Sequence, residues 1–138
     1  MNKKEILHIV NISGFMVKVN NEINLAEKSI FKIVCQRFKI KNSDLKLILM
    51  ESFSLKESLG NIHSKKAKRI LINLIALIAS VDGYICDTEE KSIFKIMDSL
   101  GESYKDYVYF QEDGKLDLQL VVSSELEILS DLPATNPI

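Results

Sequence analysis

ASVDGYICDTEEKSIFKIMDSLG, residues 79–101, restates a pattern that the chain has already used in KVNNEINLAEKSIFKIVCQRF, residues 18–38. Both stretches contain the heptamer EKSIFKI, each time just after a polar turn. The match extends upstream. Val10-Asn11-Ile12 faces Ile72-Asn73-Leu74, and Gly14 faces Ala76, both small. Val19-Asn20-Asn21-Glu22-Ile23 faces Val81-Asp82-Gly83-Tyr84-Ile85. The offset is 62 residues as far as the turn and 63 across the heptamer, which puts one extra residue in the second loop.

Each unit reads as helix, polar turn, one apolar plug (Ile23 or Ile85), helix cap and second helix. Asn24 with Glu27 and Asp87 with Glu90 have the spacing of capping boxes, in which a cap side chain and a glutamate three residues on satisfy each other's backbone N–H groups. Such a hairpin of two helices has an apolar face that it cannot cover alone, so two copies bury their faces against each other. The expectation is a mostly α-helical bundle built from two pseudo-twofold-related αα-hairpins.

Apolar periodicity places the helices. The first runs from about Lys4 to Val19, with Gly14 letting a neighbour approach closely, and the second from about Leu25 to Phe38. A third is expected from Asp44 to about Phe53, and Ser54 to Ile62 reads as a short helix or a loop. Ser64 caps a long helix that ends near Ser80, and a last one spans about Thr88 to Leu100 before a C-capping Gly101. In the tail, Tyr107 to Phe110, an Asp113-Gly114 turn and the alternation of Leu116, Leu118 and Leu120 predict a small C-terminal β-hairpin. A helix through Leu116 to Leu132 is the rival, and Pro133 to Ile138 reads as a frayed end. All this makes one domain over residues 1–138, with repeat one at about 4–40, repeat two at about 64–102 and a tail from 103 to 138.

Composition narrows the function classes. The chain is 46% hydrophobic and 27% charged, with a net charge of −1, so neither nucleic acid nor an anionic membrane is the default partner. The most apolar stretch, Ile70 to Ala79, has ten residues. A membrane span needs about 20, so this is a core helix and no membrane insertion is expected. The start, Met1 to Val17, is faintly like a secretion signal, but Glu5, His8, Asn11 and Ser13 interrupt its apolar run. Two cysteines, Cys35 and Cys86, are too few for a disulfide framework and read as free thiols in a reducing cytoplasm. His8 and His63 stand alone and read as surface or boundary residues.

The second stretch resembles the hallmark of the TerB-like family, the tellurite-resistance group, and the same module resembles a domain of a DnaJ-type co-chaperone. The family pattern is an apolar helix ending in Ala-x-Asp-Gly, then x-Ile, a cap and an acidic helix start. Ala79, Asp82, Gly83, Ile85 and Glu89 or Glu90 match it, whereas the first repeat keeps Ile23 and Glu27 but has Asn20-Asn21 for Asp-Gly. The resemblance covers about Ile6 to Glu102 and leaves the tail outside. The family's helix-start glutamate lies seven residues after the aspartate, as Glu27 lies from Asn20 and Glu89 from Asp82, yet the heptamer pairs Glu27 with Glu90. Either the second loop bulges and Asp87 is the cap, or Cys86 is the cap and the helix faces differ by 100°. Aspartate caps far better than cysteine, which favours the bulge.

Two readings of the acidic residues stand side by side. In one, Asp82, Asp87, Glu89 and Glu90, with Asn20, Glu22 and Glu27 brought near by the twofold, form an oxygen-only site for calcium, magnesium or manganese. The resemblance implies such an acidic patch as well. The loop is no EF-hand, since Tyr84 and Cys86 fall where ligands would be needed. In the other reading these residues are a turn and helix caps that complement the helix dipole.

No phosphate loop, nucleophile elbow or metalloprotease motif is present. The expected function is therefore a non-enzymatic, cytoplasmic interaction module linked by resemblance to stress or metal response, with another protein as partner and its oligomeric state left open. The alternatives are a small metal-dependent hydrolase using Asp82, Glu89 and Glu90, and a metal-free binding module acting through Tyr107, Tyr109 and Phe110 of the tail.

Overall fold

A computed structural model describes residues 3–19, 25–40 and 54–132. Among these, seven α-helices and one short 3-10 turn follow one another, with no strand. They are α1 (Lys3–Lys18), α2 (Leu25–Arg37), α3 (Leu55–Leu59), α4 (Lys65–Ser80), α5 (Asp87–Leu100), α6 (Leu118–Ser123) and α7 (Glu125–Ser130). The mostly-α helical bundle expected from periodicity is what forms. The helix expected from Asp44 to Phe53, the Asn24 cap, the Ile23 plug, the first polar turn and the end after Leu132 lie outside the described residues.

The central element is α4. Ser64 caps it, its hydroxyl accepting the Ala67 N–H at 3.1 Å. From Leu74 to Ser80 every residue is buried, so the C-terminal half of this helix is enclosed on all sides. Its most extensive partner is α1, and α2, α5, α6 and α7 also lie against it. The α1 face that meets the core carries Ile9, Val10, Ile12 and Met16, all fully buried. Gly14 of α1 faces Phe31 of α2. A Cβ there would stand 3.3 Å from the ring of Phe31, tighter than ordinary contact.

A buried carboxylate ties α1 to the start of α4. Glu5, in the first turn of α1, accepts the backbone N–H groups of His63 at 3.0 Å and Ser64 at 2.9 Å. These N–H groups open α4 and have no partner inside the helix, so Glu5 satisfies them from a neighbouring element. His8, one turn on, faces the Ser58 hydroxyl at 3.1 Å, and burial together with the Lys4 charge lowers its pKa. His63 is exposed.

The second hairpin keeps one spacing throughout. The helices α1 and α4 end at Lys18 and Ser80, 62 residues apart. Glu27, Phe31, Val34, Cys35 and Phe38 are buried in the first unit, and Glu89, Ile93, Ile96, Met97 and Leu100 in the second, again 62 apart. Both helices then close with one left-handed residue, Lys39 at φ 54° and Gly101 at φ 70°. Ile40 N–H bonds back to Cys35 C=O at 3.0 Å, and Glu102 N–H to Met97 C=O at 3.0 Å, the same C-terminal motif twice. The shared heptamer is therefore one residue out of phase with the folded helices. Its second copy is rotated by about 100°.

That rotation corrects the favoured cap. The residue in extended conformation before α5 is Cys86, at φ −82° and ψ 161°, and Asp87 is the first helical residue, exposed to solvent. Glu89, not Glu90, reaches back to the Cys86 N–H, at 3.3 Å. A good cap contributes roughly 1 kcal/mol, less than the apolar stripe it would have to turn. In the heptamer's register Asp98 would take the place of buried Cys35, and Gly101 that of Phe38.

Rotation also turns Phe94 toward the tail, which covers it. The Phe110 ring lies 6.4 Å from that of Phe94, and Tyr107 meets Phe110 edge-on at 6.4 Å. Arg69 stacks over the Tyr107 ring at 5.5 Å, a cation–π contact. The expected hairpin is reduced to a single antiparallel bridge, Phe110 with Leu116, around a turn at Gly114 (φ +87°). Beyond it Asp117 caps α6, accepting the Leu120 N–H at 3.2 Å, and the rival helical reading holds for most of the remaining tail. An isolated two-stranded ribbon is marginal in water, whereas α6 buries Val121 and α7 buries Ile128 and Leu129.

Candidate functional site

Two of the seven candidate ligands meet in the core. Glu27, in the first turn of α2, is 1% exposed, and Glu89, in the first turn of α5, is 2% exposed. Burial pushes the Glu27 carboxyl from 4.5 up to about 8, and the charges of Glu89 and Asp82 push the same way. Glu89 Oε1 accepts the Cys86 N–H. Its Oε2 is buried and takes no hydrogen bond among the described residues. A proton on Glu27 or a cation would satisfy that oxygen.

Asp82 stands at the rim. It is exposed, and its Oδ1 accepts the Tyr84 N–H at 3.1 Å in a turn completed by Gly83 at φ +81°. The turn reading of Asp82-Gly83 thus holds, while Asp82 still acts electrostatically on Glu27. Asp87 is exposed and Glu90 half-buried, and neither figures among the charges acting on Glu27. Asn20 and Glu22 lie outside the described residues. Among the described residues no group of three or more His, Cys, Asp and Glu side chains is gathered closely enough to hold a metal ion.

The cysteines are not activated. Burial pushes the Cys35 thiol up to about 11, and burial first of all raises that of Cys86. Both are free thiols. In the tail, Tyr107 and Tyr109 are buried and Phe110 is half-buried, so these rings are mainly core. Among the described residues no helix is long and apolar enough to cross a membrane.

The sequence pattern missed two things here. One is the buried Glu5 anchor. The other is a cleft of about 220 Å³ between the Gly83–Ile85 loop, α5 and the tail, with Tyr84 66% exposed at its edge. No family model matches the chain, and no curated protein or solved structure matches it significantly.

Proposed function

We propose that the protein is a non-enzymatic helical module of the TerB-like kind, a cytoplasmic interaction domain of a stress or metal response that takes up one divalent cation at Glu27 and Glu89. The observation that carries this reading is the meeting of two glutamates from separate hairpins inside the core. Two buried carboxylates side by side are costly unless a proton or a cation lies between them. The donor set fits a hard cation, since every candidate is an oxygen, and Glu89 Oε2 is buried without a hydrogen-bond donor among the described residues. Asp82 adds negative charge at the mouth. Uptake would replace the proton on Glu27 and fix α2 against α5, which offers a partner a surface that depends on the ion.

Manganese titrated into chelator-treated protein, followed by electron paramagnetic resonance, tests this. One site per chain is expected, competed by magnesium or calcium and lost in Glu89→Gln. Absence of binding would overturn the cation reading. Hydrolysis of phosphoesters that disappears in the same variant would overturn the non-enzymatic one.

A further inference from the structure

The cleft at the Gly83–Ile85 loop is built by three parts of the chain, and the cation reading leaves it unused. Ile85 comes from the loop after α4, Ile93 and Phe94 from α5, and Leu116 from the tail. At about 220 Å³ it falls below the roughly 300–1,000 Å³ of sites that enclose a whole small ligand. It is sized for one bulky apolar side chain, the kind of anchor that dominates protein interfaces. Tyr84 extends the apolar surface outward at its rim and is 66% exposed. Tyrosine is enriched at protein interfaces, where its ring is covered and its hydroxyl stays wet.

Two opposite charges line this cleft, on different elements. Lys115 comes from the tail and Glu90 from α5, and neither makes an ion pair among the described residues. The Lys115 backbone is held at the cleft, because its C=O accepts the Gln111 N–H at 2.7 Å and its N–H donates to Asp113 Oδ1 at 2.9 Å. A cleft with an apolar floor and a split rim has a complement of definite chemistry. We propose that it docks a segment of a partner protein in which one bulky apolar side chain is flanked by an acidic and a basic residue. The acid lies on Lys115 and the base on Glu90. This docking needs no cation, so it stands or falls separately from the function proposed above.

The test is amide chemical-shift mapping of the chelator-treated protein with three capped peptides: Asp-Phe-Lys, Lys-Phe-Asp and the neutral Asn-Phe-Gln. One of the two charged peptides should give saturable shifts confined to Tyr84, Ile85, Phe94 and Lys115. Exposed ion pairs are weak, so the neutral peptide, and the same charged peptide on Lys115→Glu, should bind roughly two- to fivefold less tightly. Tyr84→Ala should weaken all three, whereas Leu126→Ala, at an exposed apolar residue of α7, should change nothing. Circular dichroism confirms that each variant is folded. Equal binding of the three peptides, shifts centred on α7, or no saturable shifts would overturn the proposal.

Discussion

Glu27 and Glu89 lie 62 residues apart in sequence and meet in the core, one from the first turn of each hairpin's second helix. Their encounter sets the protonation of the pair and carries the proposed function. A proton on Glu27 lets the two carboxyls share a hydrogen bond. Loss of that proton leaves two buried negative charges.

The pH dependence follows from the raised carboxyl. Glu27 titrates near 4.5 when unperturbed and about 8 in the fold, so between these values the folded state holds a proton that the unfolded state has lost. Stability from this group is fully present below about pH 4.5 and is lost as pH rises toward about 8, at up to about 1.4 kcal/mol per pH unit. Urea unfolding of cation-free protein at several pH values should show this fall. Glu27→Gln keeps a neutral hydrogen-bonding side chain, so it should flatten the slope and be more stable than the native chain at pH 8.

The two C-caps differ in one respect. Lys39 adopts the left-handed conformation that Gly101 adopts in the second unit, and a side chain makes that conformation costly. Lys39→Gly should stabilise the protein by about 0.5–1 kcal/mol, and Gly101→Ala should destabilise it by about 1 kcal/mol. Thermal unfolding of the two variants checks both signs.

Glu5 holds the start of α4 from another helix. Glu5→Ala removes the acceptor of the His63 and Ser64 N–H groups, which should cost about 1–3 kcal/mol. Hydrogen exchange should quicken first at those two amides.

Tyr107 carries a buried hydroxyl that finds no partner among the described residues, while its ring packs under Arg69. Tyr107→Phe keeps the ring and removes the desolvated group. The variant should be as stable as the native chain or slightly more so, within about 1 kcal/mol, by urea unfolding.

Much of this architecture was legible in residue patterns. Periodicity placed α1, α2, α4 and α5 to within a residue or two, and Ser64 and Gly101 marked their ends as capping chemistry requires. The heptamer misled at one point. Identical letters suggested identical faces, but burial follows the stripe that ends in Met97 and Leu100, and the same letters place Asp98 and Gly101 at core positions. Continuing the match two to five residues beyond the heptamer exposes the conflict, and the Asp82-to-Glu89 spacing already agreed with the other register. The tail was harder to read, since alternating leucines suit a strand and a short capped helix equally until Val121 finds a place against α4. Glu5 carried no signal at all, because its partners lie 58 and 59 residues away.

The most direct test of the carboxyl pair is thermal unfolding at pH 8 of chelator-treated protein, with and without manganese, magnesium or calcium, beside a Glu27→Gln/Glu89→Gln double variant. An ion at about 100 times its dissociation constant should stabilise the native chain by about 2.7 kcal/mol, a rise of roughly 9 °C at this chain length, and should leave the double variant unmoved. No rise with any ion, or the same rise in both proteins, would contradict a cation held by Glu27 and Glu89 and would leave the pair as a proton-sharing contact between two helices.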